Sequence, residues 1–500
     1  MRLHLPAAAI AVTLTLALAG CASSGGLQPD GTLIDRAALS SQRSLARLQV
    51  SPAAWPAADW WTGLGDVQLS ALIDDALRNN PNLAAADARA RAAQAEVGIA
   101  ESARGPRVNA GAGYSAARLP ATVLAPSAGG GHFLQARDAY LSFNWGLDLW
   151  GGKRAAWEAA LGQARAAQID ARATRVALSA NVARAYAQLS YAYAQQDVAD
   201  AEFKRASAVH QLTAQRVAAG IDSQLQIKQD DSAVASAQRQ QAMAARAIDA
   251  ARSALAVLLG KGPDRGLDIA RPQALTPAAL AVPDDLPVEL IGHRADLVAA
   301  RWRVEAAAQS IKAAKTQFLP NISLGAYAGL LATGSHNLFE LPARFYQFGP
   351  SLSLPIFDGG RLRSNLAGKD AGYDVAVAQY NQTLVAAVNQ VADDLSGLRS
   401  LTAQLAAQQH QLDAATQAWQ LAGQRYRAGV GNYLEQLSVR QQVLAAQAGM
   451  AALQAQQVDL SVQLIQALGG GYRPGVQPTP AAASAPARAT ATSSLTPYRS

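Results

Sequence analysis

Cys21 is the only cysteine in the 500-residue chain, so no disulfide can close within it and no cysteine-based metal cluster can be built. Aromatic residues make up 6% and charged residues 16%, a composition thin in the groups from which enzyme sites are assembled. The formal net charge of +7 is spread without a dense Lys/Arg block or interleaved aromatics, the pattern that nucleic-acid binding requires. His4, His132, His210, His293, His336 and His410 form no H-x-x-x-H pair and no close Asp/Cys partnership, so no metal site is expected. No G-x-S-x-G occurs, and the glycine clusters at 129–131, 359–360 and 469–471 lack the Lys-Ser ending of a phosphate loop. The adjacent acids Asp230/Asp231, Asp284/Asp285 and Asp393/Asp394 read as solvated helix or loop residues rather than a catalytic pair. Neither an enzyme nor a cofactor is expected.

What is present is organised around two glycine pairs. "LWGGKRAAWE" at 149–158 and "IFDGGRLRSN" at 356–365 both place Gly-Gly between a β-like run and a very long polar-alanine run, and Gly359 follows Gly151 by 208 residues. A backbone that changes direction and period at a strand-to-helix switch favours residues without Cβ, which makes Gly151, Gly152, Gly359 and Gly360 the predicted strand–helix junctions. Before the first pair, "RVNAGAGYSAARL" at 107–119 and "YLSFNWGLDLW" at 140–150 alternate. In the second of these, Leu141, Phe143, Trp145, Leu147 and Leu149 share one face and Ser142, Asn144, Gly146 and Asp148 the other. Ten residues with one apolar face fit a membrane-spanning strand.

After the first pair, Lys153 to about Ala218 contains neither proline nor glycine apart from Gly162. A continuous helix of that span would be about 100 Å long. It reverses at "AAGIDS", around Gly220, and returns to about Gly260. The same order then repeats: a helix ending at Pro320, strands "NISLGAYAGLL" and "YQFGPSLSLPIFD", a long helix from Arg361 to about Ala428, a reversal at "RAGVGNY" and a return from Leu434 to Leu468. Arg425, Gly429 and Leu434 follow Arg216, Gly220 and Leu225 by 209 residues, so the chain is read as internally duplicated. The division is a signal peptide at 1–20, an extended segment at 21–68, a first repeat at 69–259, a connection at 260–288, a second repeat at 289–470 and a disordered Pro/Ala/Ser/Thr-rich tail at 471–500. Four strands cannot close a barrel, so strands that cross a membrane must meet strands of other copies; three copies would give twelve.

The sequence "LALAGCASS" looks like a bacterial lipoprotein signal with Cys21 as the lipidated residue. Together with "NPNL" near the first helix, "FDGGRLR" after the fourth strand and "RYRAGVGNYLEQLSVRQQVLAAQ" at 425–447, it resembles a lipid-anchored TolC-like outer membrane factor of the multidrug efflux or nodulation type over about residues 60–470. The resemblance implies a mixed α/β membrane protein: a homotrimer with a twelve-stranded transmembrane β-barrel, four strands per chain, on a long antiparallel α-helical barrel. It further implies passive export of small molecules in the bacterial outer membrane and periplasm, with a periplasmic adaptor and an inner-membrane pump as partners, contact with outer-membrane lipid and no nucleic acid. It places the periplasmic entrance at the two reversals, and because the repeat turns both toward the same end, they are expected to form the adaptor-docking tips: Arg216, Gly220 and Asp222, and Arg425, Gly429, Gly431 and Asn432. Its channel gate falls on Leu434, Glu435 and Ser438. Ser438 and Gly431 stand where aspartates are frequent, which would leave Glu435 as the acidic ring. At the level of sequence, an exit duct for type I protein secretion and a lipid-anchored coiled coil tethering envelope layers remain alternatives.

Overall fold

A computed structural model describes residues 24–35, 39, 55–118, 120, 122, 127, 131–277, 292–334 and 336–473. Cys21, Asp284, Asp285 and the tail beyond 473 lie outside the described residues. Helix α1 (Val67–Asn79) begins where Asp66 accepts the Leu69 N–H at 3.0 Å, and buries Leu69, Leu72, Ile73 and Ala76, the spacing of one helical face. Asn80 ends it and caps α2 (Pro81–Ser102) by accepting the Asn82 N–H at 2.8 Å, with Pro81 at the first helical position, where its missing N–H costs nothing. Strands β1 (Arg107–Arg118) and β2 (Phe133–Gly146) follow, then α3 (Gly152–Ala218) and α4 (Gln224–Leu258). A short α5 (Asp264–Leu267) opens the connection; α6 (Ala295–Thr316), β3 (Asn321–Thr333), β4 (Arg344–Ser353), α7 (Arg361–Arg427) and α8 (Tyr433–Ala467) complete the second half.

The duplication is closely kept. Helices α3 and α7 each have 67 residues, α4 and α8 each 35, α2 and α6 each 22. Elements up to the strands are offset by 214 residues and those after them by 209, so the difference lies within the strand pairs. Each half is closed by the same joint. Asn80 Nδ2 donates to the Leu258 carbonyl at the end of α4 (2.7 Å), and Arg294 Nη1 donates to the equivalent Ala467 carbonyl at the end of α8 (3.2 Å). Next to these, Gly260 (φ 68°) and Gly469 (φ 98°) terminate the return helices in left-handed conformation. A Cβ there would stand 2.9 Å from the Asn79 carbonyl oxygen and 2.0 Å from that of His293, so no other residue fits either joint.

Alanine lines most of the buried face of α3, and Gly162 sits where α3 crosses α6: a Cβ there would be 2.9 Å from that of Ala306. Small residues allow helix axes toward the short end of the roughly 8–10 Å packing range. Bulky packing is concentrated where α1, α3, α4 and α8 meet, around Leu69, Ile73, Tyr186, Leu189, Leu255 and Val462, and in a second cluster of α6, α7 and α8 around Leu297, Leu384, Val391 and Leu464. Residues 24–35 run along α7, where Asp374 accepts the Gly31 N–H (2.6 Å) and Asn381 accepts that of Ile34 (3.0 Å).

Two strand boundaries differ from expectation. β2 spans 133–146 rather than 140–150, because pairing with β1 extends it back to Phe133 while Asp148 turns away to cap α3; Leu147 and Leu149 therefore lie beyond the strand. β4 spans 344–353 rather than 346–358 and stops before Pro355. The glycine pairs are also out of phase: the equivalent residues are Gly151 (φ 71°) and Gly360 (φ 89°), offset by 209 and both N-caps, whereas Gly152 is already helical. What is shared is a left-handed cap, not the pair as such.

Below the first joint, the Tyr186 hydroxyl, fully buried, donates to Asp66 Oδ2 at 2.8 Å, and Gln68 Nε2 donates to the same hydroxyl at 2.8 Å. Burial, aided by the Asp66 carboxylate, raises the phenol above its ordinary pKa. Tyr186→Phe keeps the ring and removes the bond that spans α1 and α3; we expect a loss of about 1–3 kcal/mol, read as a lower melting temperature of the detergent-solubilised protein, and an unchanged value would show that the node is dispensable.

Candidate functional site

The sheet runs β1-β2-β3-β4, antiparallel throughout, with β1 and β4 as outer edges. Its register sorts the side chains into two unlike faces. Val108, Phe143, Ala326 and Phe348 stand in one row, and Trp145, Leu324 and Pro350, then Leu141, Ala328 and Tyr346, in neighbouring rows of the same face. The opposite face carries Asn109, Ser142, Asn144, Ser323 and Ser351 together with Gly111, Gly325 and Gly329. Tyr140 and Tyr327 lie on that second face, and a Cβ on Gly111 would stand 2.7 Å from the Tyr140 ring. On the apolar face, Phe348 is 82% and Tyr346 81% exposed in the single chain. Two faces of opposite polarity on four strands, with both edges unpaired, are what one sector of a membrane β-barrel requires.

The strand–helix junctions are capped from outside the helix, because a glycine N-cap has no side chain to offer. Asp148 accepts the Lys153 and Arg154 N–H groups at 2.9 and 2.8 Å; Asp358 accepts those of Gly360 and Leu362 at 3.1 and 2.9 Å. Each carboxylate meets the positive end of its helix dipole. Trp150 Nε1 donates to the Pro320 carbonyl (2.7 Å), tying the junction to the end of α6.

At the far end, the two reversals are matched in backbone and unlike in charge. Gly220 and Gly429 both adopt left-handed φ, 73° and 75°. At the first, Arg216 grips Asp222 with two bonds of 2.6 and 2.9 Å, and this pair holds the Asp222 carboxyl below the ordinary range. Ser223 and Gln226 form a capping box. At the second, Gly431 occupies the position of Asp222, and Asn432 caps α8 by accepting the Glu435 N–H at 2.7 Å. Leu434 and Glu435 are half-buried in the single chain and Ser438 is exposed, all within the first two turns of α8. Glu435 is the counterpart of Gln226, so its place at the third helical position also serves the helix end. The S-x-x-Q signal of the first reversal was legible in sequence but carries no part of the expected site.

One pair of acids departs from expectation. Asp394 is not solvated but 4% exposed, with one carboxylate oxygen lacking a hydrogen-bond partner. Burial first, then the charge of Asp393, raises its pKa to about 6, against the opposing pull of Arg294 and Arg184; Asp459 adds to the rise. Helical periodicity could not separate it from its exposed neighbour without knowing which face meets α6 and α8. His210 Nδ1, expected to have no acidic partner, lies 3.5 Å from Asp231, itself bound to Lys228 at 2.9 Å. Among the described residues no group of three potential ligands could hold a metal ion, and no helix is long and apolar enough to cross a membrane.

A two-faced sheet set on paired helices about 100 Å long is the architecture of a channel-forming envelope subunit. The family model for outer membrane efflux proteins matches residues 72–261 and 286–470. The fusaric acid resistance protein of Burkholderia cepacia is 34% identical over 374 residues, 72% of this chain and 68% of its own. A multidrug resistance outer membrane protein of Escherichia coli (strain K12) is 30% identical over 436 residues, 86% and 89% of the two chains. The crystal structure of the outer membrane protein VceC of Vibrio cholerae superposes with a TM-score of 0.77 at 34% identity, over 84% of this chain and all of that one. The chain belongs to the outer membrane efflux protein family. It is an exit-duct component of bacterial tripartite efflux systems, placed in the outer membrane and periplasm, and a passive conduit rather than an enzyme.

An unfolded aspartate titrates at the ordinary value of 3.8 and Asp394 in the folded chain at about 6. Between those values the folded state holds a proton that the unfolded state has released, so stability falls as pH rises through this window and is flat above it, by roughly 2–3 kcal/mol in all. Asp394→Asn should remove that slope and raise the melting temperature at pH 7 more than at pH 4.5. Parallel pH profiles of variant and parent in thermal unfolding would show the carboxyl to be hydrated.

Proposed function

We propose that three copies of this chain close a twelve-stranded barrel and a continuous helical tunnel, and that the duct exports small molecules delivered by an inner-membrane pump through a periplasmic adaptor. The observation that carries the reading is the two-faced sheet with both edges open. In hydrocarbon, unpaired edge groups cost several kcal/mol each, and pairing β4 of one copy with β1 of the next removes every edge. Eight, twelve or sixteen strands would all lie within the usual range of such barrels; three copies are taken because the resemblance to TolC-like outer membrane factors implies a trimer. The tethering coiled coil, which needs no strands, is disfavoured by the same sheet. Small-molecule cargo is supported by the relatives, named for resistance to fusaric acid and to multiple drugs; no observation favours polypeptide cargo.

In this reading the division of the chain follows the six segments given by the sequence, and Cys21 is the mature, lipidated amino terminus. The lipid holds the chain to the membrane before the barrel closes, and residues 24–35 carry it along α7. The gate lies just past the second reversal: any side chain facing the three-fold axis appears three times, so Leu434 forms an apolar constriction and Glu435 a ring of like charge. Such an apolar ring closes by dewetting, and a charged ring alters which ions pass. Ser438, one turn on, contributes no charge where aspartates are frequent.

Two measurements test this. Intact mass of the purified protein should give a trimer of chains that begin at Cys21 and carry acyl groups; an unacylated chain that starts elsewhere removes the anchor. In planar bilayers, Leu434→Ala should raise the resting conductance of the trimer several-fold, while Glu435→Gln shifts cation preference with little change in conductance. A folded Leu434→Ala trimer that conducts like the parent would move the gate elsewhere.

A further inference from the structure

The internal duplication supplies its own control at the two reversals. Both present an apolar residue at the crest, Ile221 at 63% exposure and Val430 at 69%. Both approach that crest through an arginine four residues before the left-handed glycine, Arg216 and Arg425. In the first half, the arginine is neutralised within its own turn by Asp222. In the second half the acceptor is missing, because residue 431 is glycine. A Cβ on Gly431 would stand 3.0 Å from the Arg425 Cβ and 3.2 Å from its carbonyl carbon, so a side chain there could not be added without a shift. Glu435 is the only carboxylate between residues 414 and 440, and it makes no ion pair with Arg425. Arg427 is bound to the Gly423 carbonyl (3.2 Å) and Arg440 lies over the Trp419 ring (4.5 Å), so each has a local partner. Arg425 is exposed and has no side-chain hydrogen bond or ion pair among the described residues.

We propose that Arg425 is a docking cation whose counter-charge is supplied in trans, by an acidic side chain of the periplasmic adaptor, and that the two reversals are therefore inequivalent docking sites. The first offers an apolar crest that is already charge-neutral. The second offers the same crest beside a vacant guanidinium, on a segment with three arginines and one carboxylate. Its complement is a helical turn that carries an Asp or Glu next to an apolar residue. The inference rests on the reading of the reversals as adaptor-docking tips. An exposed guanidinium–carboxylate pair contributes a factor of about two to binding. Three copies engaged together multiply to about eightfold, and the pairing weakens as salt rises.

The test uses the full chain in cells that also produce the inner-membrane pump and an affinity-tagged adaptor. Arg425→Lys keeps the cation and adds an amine that a zero-length carbodiimide joins to a carboxylate in ion-pair contact; peptide mass spectrometry then identifies the acid. We expect an amide to an Asp or Glu of the adaptor, while Arg216→Lys gives an intrachain amide to Asp222 as the positive control. A photo-crosslinking residue at Val430 reports docking independently of charge. If it links to the adaptor and the lysine at 425 does not, the tips dock but the charge proposal fails; if neither links while the control does, the docking reading fails as well. An amide to another copy of this chain would make Arg425 a latch between subunits and overturn the proposal. In pull-downs, Arg425→Gln should lower adaptor recovery about eightfold and Arg216→Gln by no more than about twofold.

Discussion

The long helices hold their course because each half of the chain is closed at one half-buried joint. A polar side chain at the start of one helix, Asn80 or Arg294, satisfies a last-turn carbonyl at the end of another, some 175 residues away, beside a glycine that no other residue can replace. Helix ends leave their final carbonyls without partners. Here one carbonyl at each helix end is bound by the residue at the start of the neighbouring helix, and others by the backbone N–H groups of the glycine turn that follows, so satisfying the backbone also ties the two helices together. A pair of helices of this length amplifies any angular error at its base. The bulky clusters around Tyr186 and Val391 lie at the same level as the joints, which concentrates rigidity there.

Away from that level the construction changes. The faces of α3 are mostly alanine, which supports close approach but contributes little burial per residue. The sheet's register is fully paired inside the chain, and all of its unmet hydrogen-bonding capacity lies at β1 and β4. Rigidity at the joints and open edges on the sheet describe a subunit that, in the proposed trimer, is completed by its neighbours.

The buried Asp394 fits the same plan. It lies among Arg184, Arg294 and Asp459, side chains from α3, the start of α6 and α8, beside the second joint. A carboxyl group with an unsatisfied oxygen is a costly way to fill such a place, and it makes this region more sensitive to pH than its mostly apolar surroundings suggest.

Much of this was determined by sequence alone. The two long helices, their reversals and their return helices are within a residue or two of where the absence of glycine and proline placed them, because a helix is specified by local terms that such breakers interrupt. Alternation identified the apolar face of β2 correctly for Leu141, Phe143 and Trp145. It failed at Leu147 and Leu149, because the end of a strand is decided by its ladder partner and by the competing demand on Asp148 to cap α3. The tertiary structure alone decided that Gly151 pairs with Gly360 in the repeat, since the shared requirement is a left-handed cap that a Gly-Gly string does not locate. It also decided that Asp394 is buried while Asp393 is not, and that Asp222 neutralises Arg216 while Arg425 is left without an acceptor. Which face of a helix meets another, and which charge reaches which, depend on contacts between residues far apart in the chain, and no local pattern encodes them.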